Sequence, residues 1–257
     1  MKGNIELSAV VLTRNCADLL PQCLRSLGFA DEIVVIDDFS DDNTREIAEA
    51  AGARVLTRAM NGDFGEQRRF GIESARGRWI LFIDSDEVVT EGLAKEICQA
   101  IASGMDHAYF LQRVNRFPNY EITHGSMRSD RVLRLFPKEG LEVVGRVHER
   151  VVSPYPSSVL RGRLLHYPYK DWSATIRKLD VYTENLAKQQ MMLNKRTGFV
   201  SGVFLKPTWA FIKVYFFNKG FLDGRMGVMF AIHHAYYTFM KYEIGRASCR
   251  ERVSSPV

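Results

Sequence analysis

Short, continuous apolar runs alternate with amphipathic stretches through the first hundred residues. The apolar runs are rich in Val and Ile with little polar alternation, which is typical of strands covered on both faces of a parallel sheet. The predicted strands are Leu7–Leu12, Ile33–Asp37, Arg54–Thr57 and Trp79–Asp84, and the predicted helices are about 17–28, 43–51, 65–76 and 91–103. This βαβ rhythm predicts an α/β fold with a Rossmann-like first half, residues 1–105.

The rhythm changes after about residue 105. Three further strands are predicted without helices between them, at Ala108–Val114, Arg131–Phe136 and Leu160–His166. They are joined by loops rich in Pro, Asn and Gly. The segment 106–170 therefore completes a mixed central sheet, and we expect one α/β domain over residues 1–170.

The C-terminal region, 171–243, is predicted to be helical. One long helix is expected over Asp171–Lys195, and two amphipathic helices separated near Gly220–Gly224 are expected within Phe199–Tyr242, which is dense in aromatic residues and interrupted by lysines. Two interpretations stay open: a helix pair packed as core, or an interfacial pair on anionic lipid with basic residues facing the headgroups. Both can hold at once. The last segment, 244–257, abandons this pattern and is expected to be disordered or foreign to the fold.

Charge is unevenly distributed along the 257 residues, although the net value is only +5. Residues 172–243 carry 10 Lys/Arg and 4 Asp/Glu, so this region favours an anionic partner such as a membrane surface or a nucleic acid. The four cysteines have no metal-ligand spacing, and the N-terminus shows no signal-peptide pattern. These features predict reduced thiols and a cytoplasmic location.

The segment Asp84-Ser85-Asp86-Glu87 directly follows the apolar run of the fourth strand. In open α/β sheets the carboxyl ends of the strands are where ligands bind. The period-2 geometry of a strand projects Asp84 and Asp86 to the same side, where they can share Mg²⁺ or Mn²⁺ and so hold a diphosphate. Taken alone, such a pair is also typical of a turn or a helix cap.

Further motifs lie at the other strand ends and at the start of the third helix. Thr13-Arg14-Asn15 closes the first strand, and an acidic stretch from Asp37 to Thr44 closes the second. Asp41 or Asp42 can cap the following helix, which leaves Asp37 and Asp38 to accept hydrogen bonds from a ribose or a uracil. Arg68 can reach a diphosphate, whereas Arg69 is as typical of a solvated helix face.

Taken in order, T-R-N, D-D-x-S-x-D-x-T, Q-R-R-x-G-I and W-I-L-F-I-D-S-D-E resemble the family 2 glycosyltransferases of the GT-A fold. The resemblance spans about residues 6–170 and implies an inverting, Mn²⁺- or Mg²⁺-dependent sugar transferase, with a nucleotide-sugar half at 1–105 and an acceptor half at 106–170. The nucleotide-sugar-binding residues it implies are Thr13, Asn15, Asp37, Asp38, Gly65, Arg68, Asp84 and Ser85, with Asp38 preferred for the nucleoside. The metal ligands it implies are Asp84 and Asp86. Arg69 departs from the family pattern, which often has Asn there.

The second half resembles the branch of that family that builds lipopolysaccharide core, closest to the β-1,4-glucosyltransferases acting on inner-core heptose. The resemblance is carried by R-V-L-R-L-F at 131–136, G-R-V-H-E at 145–149, H-Y-P-Y at 166–169 and G-F-L-D-G at 220–224. It implies UDP-glucose as donor, a lipid-linked oligosaccharide as acceptor, and a peripheral position on the cytoplasmic face of the inner membrane.

An inverting transfer needs a base that deprotonates the acceptor hydroxyl, and a carboxylate within hydrogen-bond reach suffices. Glu149 is the candidate, with His148 orienting the acceptor or a phosphate; the alternative is a solvated pair on an exposed strand. His166 is a candidate third metal ligand or, equally, a packing residue.

Three other functions compete with this interpretation. The chain can be another cell-envelope polysaccharide glycosyltransferase, or a nucleotidyltransferase on the same fold, although Thr13–Leu20 lacks the Gly-rich basic loop usual in that class. From a different class, it can be a non-catalytic basic protein that binds membranes or nucleic acids. The absence of a readout module in the sequence argues against nucleic acid.

Overall fold

The computed structural model describes residues 5–117, 120–146, 149–173, 175–176, 179 and 198–254, the last eleven as backbone alone. The chain divides into two compact units. The sheet unit comprises Met1–Val114 and Asp130–His166, and the helical unit comprises Asn115–Ser129 and Tyr167–Val257. The functional division at residue 170 stays a prediction; by packing, 115–129 groups with the C-terminal region.

The strands in chain order are β1 Leu7–Thr13, β2 Glu32–Asp37, β3 Arg54–Thr57, β4 Trp79–Asp84, β5 Glu87–Val89, β6 Ala108–Phe117, β7 Tyr120–Ile122, β8 Asp130–Pro137, β9 Glu142–Val144, β10 Arg150–Val152 and β11 Ser157–His166. The α-helices are α1 Leu20–Ser26, α2 Thr44–Ala50, α3 Phe64–Ser74, α4 Glu91–Ala102, α5 Lys206–Ile212 and α6 Gly224–Ser254. The predicted longer strands and the first four helices are therefore confirmed. The short strands β5, β7, β9 and β10 were missed, because three residues are too few to show a periodicity.

The main sheet runs β3-β2-β1-β4-β8-β6-β11-β5, with β7 paired to the end of β6. Strands β1 to β4 pair in parallel, whereas β8 is antiparallel to both β4 and β6. The predicted mixed sheet with a Rossmann-like half is confirmed. Because the chain order reverses at β1, the crevice between the carboxyl ends of β1 and its neighbours is the expected ligand site.

Both faces of the parallel half are buried, which explains the continuous apolar runs. Ala9 and Val11 of β1 pack in a cluster on one face, whereas Val10 packs in a second cluster on the other. Helices α1 and α4 contribute Leu20 and Leu93 to the first cluster.

The helical unit contains the two predicted C-terminal helices. Helix α5 is flanked by π-helical turns at Ser201–Leu205 and Lys213–Phe217, and a 3-10 turn at Gly220–Asp223 leads into α6. Helix α6 continues to Ser254, so the backbone of residues 244–254 is helical. The expectation that 244–257 is disordered or foreign to the fold stays a prediction. The predicted helix Asp171–Lys195 lies mostly outside the described residues. Within the part of the chain that is described, the helices are too short or too polar to cross a membrane.

Candidate active site

Side chains at the carboxyl ends of β1 and β2 are tied together by hydrogen bonds. The buried carboxylate of Asp37 accepts from the Thr13 hydroxyl (3.2 Å) and from the amide of Ser40 (2.9 Å). Asn15, in a left-handed conformation, donates its amide to the Ser40 hydroxyl and accepts from the amide of Asp41. The predicted residues Thr13, Asn15 and Asp37 therefore lie together. The hydrogen bonds of the buried Asp37 carboxylate hold Thr13 and Ser40 in position.

Asp38, next in sequence to Asp37, is also largely buried at this edge. Its carboxylate accepts from the amide of Met60 (2.8 Å) and from the exposed guanidinium of Arg14 (2.9 Å). The next residue, Phe39, has φ 51° and a side chain that is 62% exposed. A bulky residue in this conformation carries backbone strain, which tends to persist at functional sites. Its exposed ring offers a stacking face that the sequence motifs did not reveal.

The acidic motif splits into two pairs instead of forming one carboxylate cluster. Strand β4 ends at Asp84, and Ser85 and Asp86 form a turn, so the period-2 argument that placed Asp84 and Asp86 on one side does not apply. The carboxylate of Asp84 contacts the guanidinium of Arg134. The Asp86 Oδ2 atom lies 3.4 Å from the His166 Nε2 atom instead.

The pairing of Asp86 with His166 follows from strand register. Strand β5 is antiparallel to β11, with Glu87 opposite His166. This register brings the end of β11 beside the turn that carries Asp86. Among the described residues, however, no group of three His, Cys, Asp or Glu side chains is assembled for a metal ion. The three-ligand set of Asp84, Asp86 and His166 therefore remains a prediction.

Asp84 belongs to a cluster of largely buried charged side chains. Arg134 of β8, only 7% exposed, contacts Asp84 and also Glu87 at 3.1 Å, and Glu87 is 3.5 Å from Arg113. Burial alone would raise the pKa of Asp84, but the guanidiniums of Arg134 and then Arg68 outweigh it and hold that pKa well below its usual value. The fully buried Glu87 behaves differently, since burial raises its pKa despite Arg134.

Arg68 links this cluster to the predicted base. It lies in the first half of α3, where its Nε atom is 2.9 Å from Glu149 Oε1 and its Nη2 atom is 3.4 Å from Asp84 Oδ1. Its guanidinium also lies 5.0 Å from the centre of the Phe82 ring. Arg68, Asp84 and Glu149 are thus brought together, although they are far apart in sequence.

The position of α3 depends on Gly65. A Cβ atom there would lie 2.1 Å from the backbone oxygen of Gly145, so only glycine permits this approach. Gly65 therefore positions Arg68 and has no side chain for a ligand. Arg69 contacts Glu66 on the same helix and the carbonyl of Val143, which agrees with a surface role.

A cavity of about 380 Å³ opens beside Arg68 and Glu149. Apolar residues of its lining include Phe110 and Leu133, and Arg134 and Arg150 also line it. Arg150 has no ion-pair partner among the residues that the structure describes, so it is available to an anionic group. His148 lies outside those residues, and its predicted role stays a prediction.

Sequence reasoning missed Arg134, Glu87 and Arg113 as parts of the site. Arg134 belongs to the R-V-L-R-L-F motif at 131–136, and Glu87 belongs to the acidic motif at 84–87. The missing information was the antiparallel pairing of β8 with β4, which brings Arg134 to the end of the acidic strand.

Comparison with known proteins supports the motif-based resemblance. A family model described as "Glycosyl transferase family 2" matches residues 8–157, more than half of the chain. The lipopolysaccharide core biosynthesis glycosyltransferase LpsC of Rhizobium meliloti (strain 1021) is 29% identical over 251 residues, which covers 93% of this chain and 92% of LpsC. An uncharacterized glycosyltransferase of Rickettsia bellii (strain RML369-C) is 25% identical and covers 92% of this chain and 84% of that protein.

Among solved structures, that of S. aureus TarS 1–349 in complex with UDP-GlcNAc is similar with a TM-score of 0.47 and 15% identity, covering 96% of this chain and 92% of that chain. The family match, together with the mixed sheet order, confirms the predicted GT-A fold.

Proposed function

The chain belongs to glycosyl transferase family 2, and we propose that it transfers a hexose, with glucose the first candidate, from a UDP-sugar to a heptose of the lipopolysaccharide inner core. The transfer inverts the anomeric centre and requires a divalent cation. The observation that carries this proposal is the contact of Arg68 with both Glu149 and Asp84 beside the 380 Å³ cavity. It supports the proposal because the carboxylate of Glu149 and the guanidinium of Arg68 lie next to space for a substrate.

In this proposal the nucleoside lies at the ends of β1 and β2. Asp38 accepts a hydrogen bond from the base or ribose in place of exposed Arg14, and Phe39 offers its ring to the base. Thr13, Asn15 and Asp37 hold these loops in position through the bonds described above. Ser85 and Asp84 border the sugar and the diphosphate.

The donor atoms at the end of β4 fit a Mn²⁺ or Mg²⁺ ion. Such ions are commonly held by one or two protein ligands, with substrate phosphates and water completing the shell. Asp86 and His166, with a carboxylate oxygen and an imidazole nitrogen 3.4 Å apart, are the residues that would hold it. Asp84, whose carboxylate is held by two arginines, serves more readily to position this turn than as a third ligand. When bound, the cation neutralises charge on the leaving diphosphate.

Glu149 acts as the base. Its carboxylate takes the proton from the acceptor hydroxyl as that oxygen bonds to the anomeric carbon of the donor. The bond from this carbon to the diphosphate oxygen breaks at the same time, and UDP departs. Arg68 and Arg150 can balance the negative charge that the diphosphate gains. His148, next in sequence to Glu149, is retained as a residue that orients the acceptor.

The proposed acceptor is lipid-linked, and we therefore place the protein on the cytoplasmic face of the inner membrane as a peripheral protein. Its expected partners are the UDP-sugar, the lipid-linked oligosaccharide and the anionic membrane surface. We expect no nucleic-acid partner. The similarity to LpsC supports the choice of acceptor.

The test is calorimetric binding of UDP-glucose, UDP-galactose, UDP-N-acetylglucosamine and GDP-mannose, with Mn²⁺ and with EDTA. We expect one UDP-sugar to bind in a metal-dependent way, the Asp86→Ala variant to lose this binding, and the Glu139→Ala variant, which removes an exposed carboxylate, to retain it. Failure of every donor to bind would refute the proposed function. Metal-dependent binding that persists in Asp86→Ala would refute the metal site alone.

A further inference from the structure

The cavity beside Glu149 is built by a different part of the sheet unit from the nucleoside crevice. Helix α3 contributes Arg68, strand β6 contributes Phe110, strand β8 contributes residues 132–134, and β10 with the residue before it contributes 149–151. The nucleoside, by contrast, is proposed at the carboxyl ends of β1 and β2. The cavity volume of about 380 Å³ is within the range of about 300–1,000 Å³ that is usual for pockets that bind small molecules. The cavity is therefore a second candidate subsite, next to the candidate base.

Arg150 is the cation of this cavity whose charge is not matched within the described part of the chain. Arg68 lies 2.9 Å from Glu149 and 3.4 Å from Asp84, so its charge is shared by two carboxylates. Arg134 is likewise paired with two carboxylates of the cluster around Asp84. Arg150 is exposed and has no ion pair with the residues that the structure describes. Its guanidinium is therefore the lining cation that an incoming anion can bind.

Arg134 brings a buried hydrogen-bond donor to the same lining. Its side chain is only 7% exposed, and its Nη2 atom contacts the carboxylates of Asp84 and Glu87. Its Nε atom is buried and has no hydrogen-bond partner among the residues that the structure describes. Buried polar atoms of proteins almost always have a partner. A ligand in the cavity is the candidate partner for this N–H group.

The cavity lies on the side of Arg68 that faces the candidate base. The Nη2 atom of Arg68 contacts Asp84, at the end of β4 where the diphosphate is proposed, whereas its Nε atom contacts Glu149. Glu149 belongs to the cavity lining, and Asp84 lies outside it. Phe110 and Leu133 add apolar surface on which the carbon-bound hydrogens of a sugar ring can pack. This arrangement favours the acceptor over the donor diphosphate as the ligand of the cavity.

We propose, on the basis of the proposed transfer function, that this cavity binds the acceptor sugar and that Arg150 selects an acceptor with an anionic substituent near the reacting hydroxyl. The substituent is an oxyanion, either a phosphate or a carboxylate, because a planar guanidinium binds such groups through two parallel N–H donors. Glu149 and Arg150 are adjacent in sequence and both line the cavity. An anion held by Arg150 therefore lies close to the hydroxyl that Glu149 deprotonates, and the Nε atom of Arg134 donates a further hydrogen bond to the same sugar.

The test is calorimetric binding of three kinds of probe to the full chain, with and without UDP: a methyl heptoside, its phosphate monoesters and the corresponding uronic acid. We expect one of the two anionic kinds to bind about tenfold more tightly than the neutral heptoside, which also distinguishes phosphate from carboxylate. Arg150→Met should abolish this preference and leave the affinity for UDP-glucose unchanged. Arg150→Lys keeps the charge and should retain part of the preference. Arg161→Met removes an exposed arginine of β11 and is the matched control, which should bind every probe as the wild type does.

Circular dichroism checks that each variant is folded. Equal binding of neutral and anionic heptosides, or no binding of either, would overturn the inference, as would a preference that persists in Arg150→Met. If Arg150→Met instead weakened the binding of UDP-glucose and kept the preference among heptosides, Arg150 would contact the donor and the inference would be wrong. Failure of every donor to bind would refute the proposed function alone, because the heptoside measurements without UDP would still show whether the cavity takes an anionic sugar.

Discussion

The sheet unit and the helical unit differ in how their charged and apolar side chains are arranged. In the sheet unit, the carboxylates around the end of β4 are matched by arginines: Asp84 by Arg134 and Arg68, and Glu149 by Arg68. Exposed apolar side chains are few there and scattered over separate elements. In the helical unit between 198 and 242, the single acid, Asp223, is buried and paired, whereas aromatic side chains and cations face outward.

This difference bears on where each unit is proposed to bind its ligands. Buried, paired charges are expensive to assemble and are weak evidence of stability by themselves, but they hold functional groups in fixed positions. An outward apolar and cationic surface has no such internal function and is completed only by a partner. The paired charges of the sheet unit suit a small charged ligand, as proposed above, whereas the helical unit presents an extended apolar and cationic surface.

The largest effect expected within the sheet unit comes from Glu149→Gln. The amide can still accept a hydrogen bond from Arg68, so the site keeps its shape but loses the proposed base. We expect kcat to fall by about 10²–10⁴-fold with little change in donor affinity. Steady-state kinetics and calorimetry measure the two quantities. Glu142→Gln, on exposed strand β9, is the matched control and should leave both unchanged. An unaltered kcat in Glu149→Gln would assign the base to another residue.

A second variant, Arg134→Met, removes the guanidinium that pairs with Asp84 and Glu87. It leaves Asp84 and buried Glu87 without their main cation, and loss of one partner of a buried pair costs about 3–5 kcal/mol. We expect a decrease of that size in the free energy of unfolding, measured by urea denaturation. Adding Glu87→Gln should restore part of it, because one unmatched charge is then removed.

Arg131→Met, on the exposed part of the same strand, serves as the control for the loss of an arginine and should change stability little. If Arg134→Met were no less stable than Arg131→Met, the ion cluster would not support the site, and the contrast between the two units would fail.

Much of this architecture was predictable because burial on both faces of a sheet leaves a direct trace in the sequence. The strands β1 and β4 appear as unbroken apolar runs, and their carboxyl ends carry the predicted polar residues. Glu149 was predicted as the base from a short motif, and this role stays a prediction; its contact with Arg68 was not predicted.

The different contacts of Asp84 and Asp86 were not predictable from the sequence. They depend on the strand ending at Asp84 and on two antiparallel pairings, β4 with β8 and β5 with β11. Such long-range pairings leave no local pattern, because Arg134 and His166 are as typical of solvated strand positions as of buried partners. The helical region left two interpretations open for a similar reason: apolar residues occupy both sides of α5, and only packing reveals which side is covered.

Phe39 is the exception to the pattern of the sheet unit, since it is apolar, exposed and strained. Phe39→Gly should relieve the left-handed backbone and raise stability by about 1 kcal/mol. The same change should weaken UDP binding by about tenfold, since stacking of a base on an aromatic ring contributes about 1–3 kcal/mol. Thermal denaturation and calorimetry measure the two effects. Phe39→Tyr keeps the ring and should restore the affinity but not the stability. UDP binding that is unchanged in Phe39→Gly would show that the ring does not contact the nucleoside.

The smallest expected effect is on the pH dependence of stability and comes from a histidine of the helical unit. His233 of α6 has a pKa lowered mainly by burial and further by His234, although a hydrogen bond with the backbone of Thr175 opposes the shift. Because the unfolded chain then takes up a proton at a higher pH than the folded chain does, stability is complete above the unfolded pKa and decreases as the pH falls through it. We therefore expect the wild-type Tm to fall between pH 8 and pH 5 more steeply than that of His233→Gln.

His107→Gln, which replaces a histidine of the sheet unit, is the control and should follow the wild type. Parallel curves for the wild type and His233→Gln would mean that burial does not suppress this charge. The helical unit would then differ from the sheet unit in its surface alone.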